Sequence, residues 1–236
     1  MAISTGSSDM NGAASDSPAQ PQSGPEGRPP AAPPIAPGFG TFGMTIFLFA
    51  LGVLFTASIV AYLYIRARAE VWPPPNAPRL PAGLWVSTGV IILCSVSIQR
   101  ALSSVRRDRP GLLIGGLLIT LLLGLVFLLT QAMNWLWLIS LNVVISPLVR
   151  ESLLAPAAAA PTTAHIASLY LFTFYVLTAL HALHVLGGMV LLAVVTARAF
   201  AGRYSSAYYP GVKYAAMYWH FLDCVWIVMF VLLFLL

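Results

Sequence analysis

Two short motifs near the carboxyl end contain the residue types that could do chemistry. HALH places His181 and His184 three residues apart, and YWHFLD gives His220 and Asp223 the same spacing. On a helix, that spacing puts both members of a pair on one face. Imidazole and carboxylate groups can bind a metal or haem, relay protons, or hydrogen bond to a neighbouring helix.

The composition indicates whether the ionisable residues of these motifs lie in water or in a membrane. Hydrophobic residues make up 59% of the 236 residues and charged residues 8%, whereas about a quarter of a soluble domain is charged. The sequence therefore predicts an integral membrane protein. Six of its seven acidic residues lie in polar segments or at helix ends, which leaves Asp223 as the one acid at membrane depth.

Long apolar stretches predict the elements that position these motifs. Hydrocarbon about 30 Å thick requires roughly 20 apolar residues per helix. The chain offers five such stretches, at about 43–65, 83–103, 111–139, 165–199 and 213–236. We expect an all-α integral membrane protein with five transmembrane helices and no separate soluble domain.

The amino-terminal segment differs in kind from the rest. Residues 1–41 are rich in Ala, Ser, Pro and Gly and have almost no large apolar side chains. Such a composition buries too little surface to offset its ordering entropy, so it predicts a disordered tail. The segment lacks the charged start and apolar core of a signal peptide. The membrane domain is expected over residues 42–236.

The distribution of Lys and Arg predicts the orientation in the membrane. An N-in arrangement places eight of these residues on the cytoplasmic side and four outside: Arg28, Arg100, Arg106, Arg107, Arg109, Arg198, Arg203 and Lys213 against Arg66, Arg68, Arg79 and Arg150. Positive residues favour the cytoplasmic side, so we expect N-in and C-out. The positive net charge has the same explanation and gives no reason to expect nucleic acid as a partner.

Three interpretations of the polar motifs compete. Converging histidines could hold a metal or haem, but the sequence does not show convergence. A proton or ion path usually needs several acids, and here there is one. The third interpretation is an interhelical hydrogen-bond network, which we favour, with a possible lipid headgroup contact. It predicts that His220 and Asp223 clasp the fourth helix, with these residues as its further members: Thr178, His181, His184 and Gln131.

Small and aromatic residues add packing signals. Gly116, Thr120 and Gly124 recur every four residues on the third span, a spacing that lets a neighbouring helix approach closely. Gly187 and Gly188 follow the fourth-span histidines by one turn. Aromatic residues near the span ends predict anchors at the membrane interface: Trp72, Trp85, Trp135 and Trp137 at the outer side and Trp219 at the inner side.

Four motifs together resemble a known family, subunit III of the haem–copper respiratory oxidases. YWHFLDCVW at 218–226 resembles the family's last-helix motif YWHFVDxxW, and HALHVLGG at 181–188 resembles HxLHVxxG. PPPNAPRLPAGLWVST at 73–88, followed by Cys94 and Ser95, is similar to the family's Pro-rich loop, LPxxNT start and Ser pair. LGLVFLLTQAMNW at 123–135 resembles LGxxFxxxQxxEW. The resemblance covers about residues 40–236.

The resemblance implies an accessory, non-catalytic subunit of a cytochrome c oxidase-type complex in aerobic respiration. Such a subunit has no redox centre of its own, and haem and copper belong to its partners. It packs directly against subunit I, with subunit II in the same complex. It also binds phospholipid and supports proton uptake. The match is to the five-helix bacterial form, which implies a multi-pass protein of the bacterial inner membrane.

Two positions depart from the family pattern. The family's first shared helix carries a membrane carboxylate where FALGVLF places Leu51 or Gly52. Asn134 stands where the family usually has Glu before Trp135. For this chain, the resemblance therefore does not imply any part of proton uptake that depends on those acids.

Two other functions fit the sequence. An accessory subunit of a nitric oxide reductase would share the fold and motifs, and only its partner would distinguish it. A small-solute or metal transporter could use a bundle lined by histidines. A membrane enzyme is disfavoured, because no nucleophile and base stand at a recognisable spacing.

Overall fold

The computed structural model describes residues 39–69, 72–73, 80–154 and 162–235, and for residues 142–154, 162–168 and 235 it describes the backbone alone. Most of the predicted tail over 1–41 lies outside these ranges. So does most of the Pro-rich connection between the first two helices.

Five long helices account for most of the described chain, which confirms the predicted all-α fold. They are α1 (Phe39–Arg68), α2 (Gly83–Arg106), α3 (Pro110–Leu154), α4 (Thr162–Phe200) and α5 (Pro210–Phe230), and a π-helical turn, Val231–Leu235, extends the last helix. All five are long and apolar enough to cross a membrane. The helix starting at Pro210 begins three residues earlier than predicted, because proline suits the first helical position, where no N–H bond is needed.

The helices form a four-membered ring with one helix outside it. Within the ring, α2 packs on α3, α3 on α4, α4 on α5 and α5 on α2. The outer helix, α1, packs against α4 and α5. A side chain that points inward from α5 can therefore reach three other helices.

Large aromatic side chains of α5 fill the centre of the ring. Trp219 and Trp226 are 1% and 2% exposed. The prediction that Trp219 is an anchor at the membrane interface is therefore wrong. An interface anchor must reach the headgroups, whereas this indole is enclosed by Gly124 of α3 and Gly188 of α4.

The outer helix is largely uncovered within this chain. Of the residues in its apolar stretch, 17% are buried, against 44% for the fifth span. Phe49 and Val60 are among its exposed apolar side chains. In a membrane protein such a face meets lipid or another protein.

Two loops meet at one end of the bundle, which we call the loop end. The Ser206 N–H lies 2.6 Å from Oδ1 of Asp108, and the Ser206 hydroxyl donates to Oδ2, so the α2–α3 and α4–α5 connections are joined. These two hydrogen bonds hold the pKa of the exposed Asp108 carboxyl below its usual range. The start of α1 lies at the same end, because Nζ of Lys213 donates to Oγ1 of Thr41 at 3.1 Å.

Gly202 makes the turn out of α4 possible. Its φ is +66°, a left-handed conformation that side chains disfavour. Its N–H bonds to the carbonyl of Ala199, and the Arg203 N–H bonds to that of Arg198. These bonds satisfy carbonyls at the end of the helix, so the chain can reverse within a few residues and begin α5.

Candidate functional site: a polar seam between the helices

His220 joins α5 to α2. Its Nδ1 lies 2.8 Å from Oγ of Ser95, and its Nε2 lies 3.2 Å from Oε1 of Gln99. An amide oxygen accepts hydrogen bonds only, so Nε2 carries the proton and Nδ1 accepts from the serine hydroxyl. A neutral imidazole thus satisfies both of its nitrogens on one neighbouring helix.

Asp223 lies one turn further along the same helix and also faces α2. It is 4% exposed and adjoins Cys94 and Ser95. Neither carboxylate oxygen has a hydrogen-bond partner among the described residues. The nearby Cys94 thiol instead donates to the carbonyl of Thr120 on α3, at 3.5 Å. Because buried carboxylate oxygens without partners are costly, the position of this side chain between α5 and α2 needs a reason beyond stability.

His181 and His184 of α4 form no hydrogen bond with His220 of α5. His181 is completely buried, and neither ring nitrogen has a partner among the described residues. Nδ1 of His184 bonds to the carbonyl of Leu180 in its own helix at 2.7 Å. The expected clasp of His220 onto α4 therefore differs from the hydrogen bonds found, because His220 points towards α2.

Aromatic rings from three helices surround His181. Its ring centroid lies 5.1 Å from Trp226 of α5, 5.7 Å from Phe127 of α3 and 6.2 Å from Phe55 of α1. Ring contacts of this kind stabilise a neutral imidazole by packing. His181 therefore lies where α1, α3, α4 and α5 converge, and neither of its ring nitrogens bonds to His184 or His220.

A different bond links the motifs of α4 and α5. The Tyr218 hydroxyl donates to the backbone carbonyl of His184 at 2.9 Å. The space for Tyr218 depends on Gly188, since a Cβ there would lie 2.8 Å from the ring carbon Cε1. Gly187 is less constrained, because a Cβ added there would lie 3.9 Å from the Tyr218 hydroxyl.

The predicted small-residue stripe of α3 faces three neighbouring helices. A Cβ on Gly116 would lie 2.9 Å from Cβ of Ala101 on α2, and the Ser97 hydroxyl donates to the Gly116 carbonyl at 3.0 Å. The Thr120 hydroxyl bonds to the same carbonyl within α3. About two turns beyond Gly116, a Cβ on Gly124 would lie 2.6 Å from Sδ of Met189 on α4 and 2.9 Å from the Trp219 ring of α5. The stripe lets α2, α4 and α5 approach closely.

Indole N–H groups form hydrogen bonds between helices in the half of the bundle away from the loop end. Trp135 donates to the hydroxyl of Thr178, joining α3 to α4, and Trp226 donates to that of Thr88, joining α5 to α2; both distances are 3.1 Å. The predicted network member Gln131 is 1% exposed, and both of its amide atoms lack partners among the described residues. It lies one turn before Trp135 on the face that reaches α4.

The remaining predicted anchors differ in their surroundings. Trp85 and Trp137 are half exposed, and their position at the membrane interface stays a prediction. Trp72 packs edge-on against Tyr62 and Tyr170, so it contributes to the join between α1 and α4.

We call His220 and Asp223 of α5, together with Ser95 and Gln99 of α2, the seam. Sequence reasoning missed the two α2 residues as hydrogen-bond partners. Ser95 and Gln99 stand four residues apart, and this i, i+4 spacing puts two polar side chains on one face of an apolar helix. That spacing was the available signal. Within the described part of the chain, no group of three or more His, Cys, Asp or Glu residues is arranged to hold a metal ion.

Known proteins resemble this chain along most of its length. A sequence model of the family described as Cytochrome c oxidase subunit III matches residues 156–236. The cytochrome c oxidase subunit 3 of Synechocystis sp. is 33% identical over 197 residues, covering 83% of this chain and 75% of the relative. This chain belongs to the cytochrome c oxidase subunit III family.

Two further relatives agree with the assignment to the subunit III family. The cytochrome c oxidase subunit 3 of Thermostichus vulcanus is 28% identical over 199 residues, which cover 84% of this chain and 88% of the relative. The probable cytochrome c oxidase subunit 3 of Mycobacterium leprae is 30% identical over 185 residues, which cover 77% of this chain and 81% of the relative. The similarity extends well beyond the two histidine motifs.

The two departures from the subunit III pattern have distinct places in the fold. Leu51 is buried. Gly52 lines a groove between α1 and α5, and a Cβ added there would lie 3.7 Å from the Phe221 ring. This α1–α5 groove measures about 730 Å³ and is mainly apolar. Asn134 is 6% exposed, and its amide nitrogen has no partner among the described residues.

Proposed function

We propose that the chain is the non-catalytic subunit III of a bacterial haem–copper oxidase and packs directly against catalytic subunit I, with subunit II in the same complex. The observation that carries the proposal is the relationship to the Synechocystis protein, which covers 83% of this chain. The haem and copper of the reaction belong to the partners in this proposal. Electron transfer therefore takes place outside this chain.

We place the protein in the bacterial plasma membrane as a multi-pass subunit, with its N-terminus in the cytoplasm and its C-terminus outside. The support is the charge at the loop end, which contains the basic residues within the α2–α3 and α4–α5 connections and at the adjoining helix ends: Arg106, Arg107, Arg109, Arg203 and Lys213. Short loops rich in Lys and Arg stay on the cytoplasmic side. The loop end is then the cytoplasmic end.

The exposed face of α1 is the proposed contact with lipid. The α1–α5 groove is lined by Leu48, Phe49, Val53 and Phe221, and Gly52 deepens it. Acyl chains fill an apolar groove of this kind without leaving polar groups unpaired. Because Gly52 lacks a side chain, the space that a family carboxylate would take is open to such a chain.

The α2–α5 seam is the proposed support for proton uptake by the complex. Asp223 is the one acidic residue in the five spans, and it lies one turn from His220. An ionisable residue inside a membrane usually faces other protein groups and contributes to function. We assign to this seam the role of fixing α5 against α2, so that the surface presented to the catalytic subunit keeps its shape under turnover.

Purification through a tag on this chain tests the assignment. The complex would be extracted from native membranes in mild detergent, then analysed by a reduced-minus-oxidised optical spectrum and by mass spectrometry of the proteins that accompany it. The proposal requires haem bands and an oxidase subunit I. Recovery with a nitric oxide reductase would contradict the oxidase assignment. A colourless chain recovered alone in several mild detergents would contradict the subunit function itself.

A further inference from the structure

A second groove, distinct from the α1–α5 groove, runs between α2 and α3 near the loop end. It measures about 660 Å³. Leu93, Val96 and Ile119 line its apolar part, and each of these side chains is roughly half exposed. Nothing in the polar seam opens onto this face, so the seam does not account for it.

Glycines of α3 create the groove. Gly111 and Gly115 line it, and a Cβ on either would meet no atom within 4 Å. Gly116, one residue further, is pressed against Ala101 and closes the contact between the helices. The two helices therefore touch at the floor of the groove while the glycines leave open space above it.

Arginine side chains lie at one end of the groove. Arg100, Arg107 and Arg109 line it, and none of them forms an ion pair with another described residue. The nearest acid in sequence, Asp108, is bonded to Ser206 of the other loop. The hydroxyl-bearing residues Ser103 and Ser104 lie at the same end. Arginine binds phosphate oxygens through several N–H groups at once.

The length of the groove matches one leaflet of a bilayer. At 1.5 Å per residue, the levels of Gly111 and Leu123 on α3 are about 18 Å apart. Half of a hydrocarbon core of roughly 30 Å is about 15 Å. The groove therefore has about the length of an acyl chain within one leaflet.

We propose that the α2–α3 groove is a binding site for an anionic glycerophospholipid, whose phosphate is held by Arg100, Arg107 and Arg109 while its acyl chains lie along Val96, Ile119 and the glycine floor. Basic pockets between transmembrane helices bind anionic headgroups in this way. The site goes beyond the proposed function, because its residues are not those of the seam or of the α1–α5 groove. It also does not require that the chain assemble with an oxidase.

Two variants test the two halves of the site. The double variant Arg107→Gln/Arg109→Gln removes headgroup charge, and Gly115→Leu fills the acyl groove. Their matched controls are Arg203→Gln, an exposed arginine at the same end but outside the groove, and Gly89→Leu, an open position on α2 outside the groove. Each protein would be purified in the assembly that it forms, stripped of lipid, titrated with phosphatidylglycerol or phosphatidylcholine, and examined by native mass spectrometry.

We expect the double variant to bind phosphatidylglycerol roughly 30-fold more weakly, with little change for phosphatidylcholine. Gly115→Leu should lower the occupancy of both lipids, and the two controls should match the wild type. Equal losses in Arg203→Gln and in the double variant would reduce the effect to general surface charge and overturn the proposal. It would also be overturned if Gly115→Leu released a partner subunit while lipid occupancy stayed unchanged, because a protein helix would then be the occupant.

The same samples keep this inference separate from the proposed function. The subunits that accompany the chain are identified from the protein masses, whereas the site is tested by the lipid masses. Absence of an oxidase from the purified assembly would count against the proposed function alone. Unchanged phosphatidylglycerol binding in both groove variants would count against the lipid site alone.

Discussion

Nδ1 of His220 lies 2.8 Å from the hydroxyl oxygen of Ser95, a contact that joins the last helix to the second. The same imidazole reaches Gln99 through its other nitrogen. Both ring nitrogens are therefore used between α5 and α2. This relationship, more than any contact among the three motif histidines, defines the seam.

Removing the serine hydroxyl should weaken the seam measurably. Ser95→Ala leaves Nδ1 without a partner, and hydrogen bonds between membrane helices contribute about 0.6 to 2 kcal/mol. We expect a loss of about 1 kcal/mol in the free energy of unfolding, measured by titration from mild detergent into SDS. Ser58→Ala is the matched control, since that exposed hydroxyl bonds only to the carbonyl of Leu54 in its own helix. Equal stability of the two variants would contradict the role of Ser95.

Neighbouring glycines of α3 should respond in opposite ways to the same substitution. A Cβ at position 116 would lie 2.9 Å from Cβ and 3.1 Å from Cα of Ala101, so Gly116→Ala forces α2 and α3 apart. Overpacking of this kind costs about 1–3 kcal/mol. Gly115→Ala enters open space, and replacing a helical glycine there should stabilise the protein by about 0.5 to 1 kcal/mol. Thermal unfolding of the two variants in one detergent measures both effects.

A stabilising effect of Gly116→Ala would contradict the close contact described for α2 and α3. Equal destabilisation by the two substitutions would show that α3 is sensitive along its whole length. In that case the position-specific contact at Ala101 would not explain the result.

The five helices were predictable, whereas the contacts between them were only partly so. Apolar stretches of about 20 residues identify spans because the bilayer demands them. The rotation of each helix about its axis depends on packing against every neighbour. The sequence alone does not give these rotations. His220 was therefore expected to face α4, whereas in the structure it faces α2. Trp219 illustrates the same difficulty: its sequence position resembles an interface anchor, but Gly124 and Gly188 make room for it in the core.

The link between the two loops should depend on pH. Hydrogen bonds from Ser206 lower the pKa of Asp108 from its usual value of 3.8. A carboxyl whose folded pKa is depressed stabilises the fold above its unfolded pKa, and the contribution disappears as the pH falls through the folded pKa. Ser206→Ala should therefore be less stable than the wild type at pH 6. The difference should shrink as the pH falls below about 4.

Thermal unfolding between pH 6 and pH 3 would measure this difference. Ser104→Ala serves as its control, because that hydroxyl bonds to the carbonyl of Arg100 and to no acid, so its effect should not vary with pH. A Ser206→Ala effect that stayed constant over the whole range would contradict a titrating link between the loops.

Asp223 should tolerate an amide better than an apolar side chain. Asparagine keeps the size and hydrogen-bonding capacity of the acid and removes only its charge, whereas leucine removes every polar atom beside Ser95. We expect Asp223→Asn to keep most of the turnover lifetime of the complex and Asp223→Leu to shorten it several-fold. If Asp223→Leu and His220→Leu both left assembly, lipid content and lifetime unchanged, the seam would have no functional role.

The most direct test of the account compares the oxidase with and without this chain. Oxygen consumption would be followed during sustained turnover, in complexes purified from cells that express or lack the subunit. We predict equal initial rates per haem and faster inactivation without the chain. An initial rate that fell to zero would assign the chain a part in the chemistry, and identical lifetimes would remove its supporting role; either result would contradict the account.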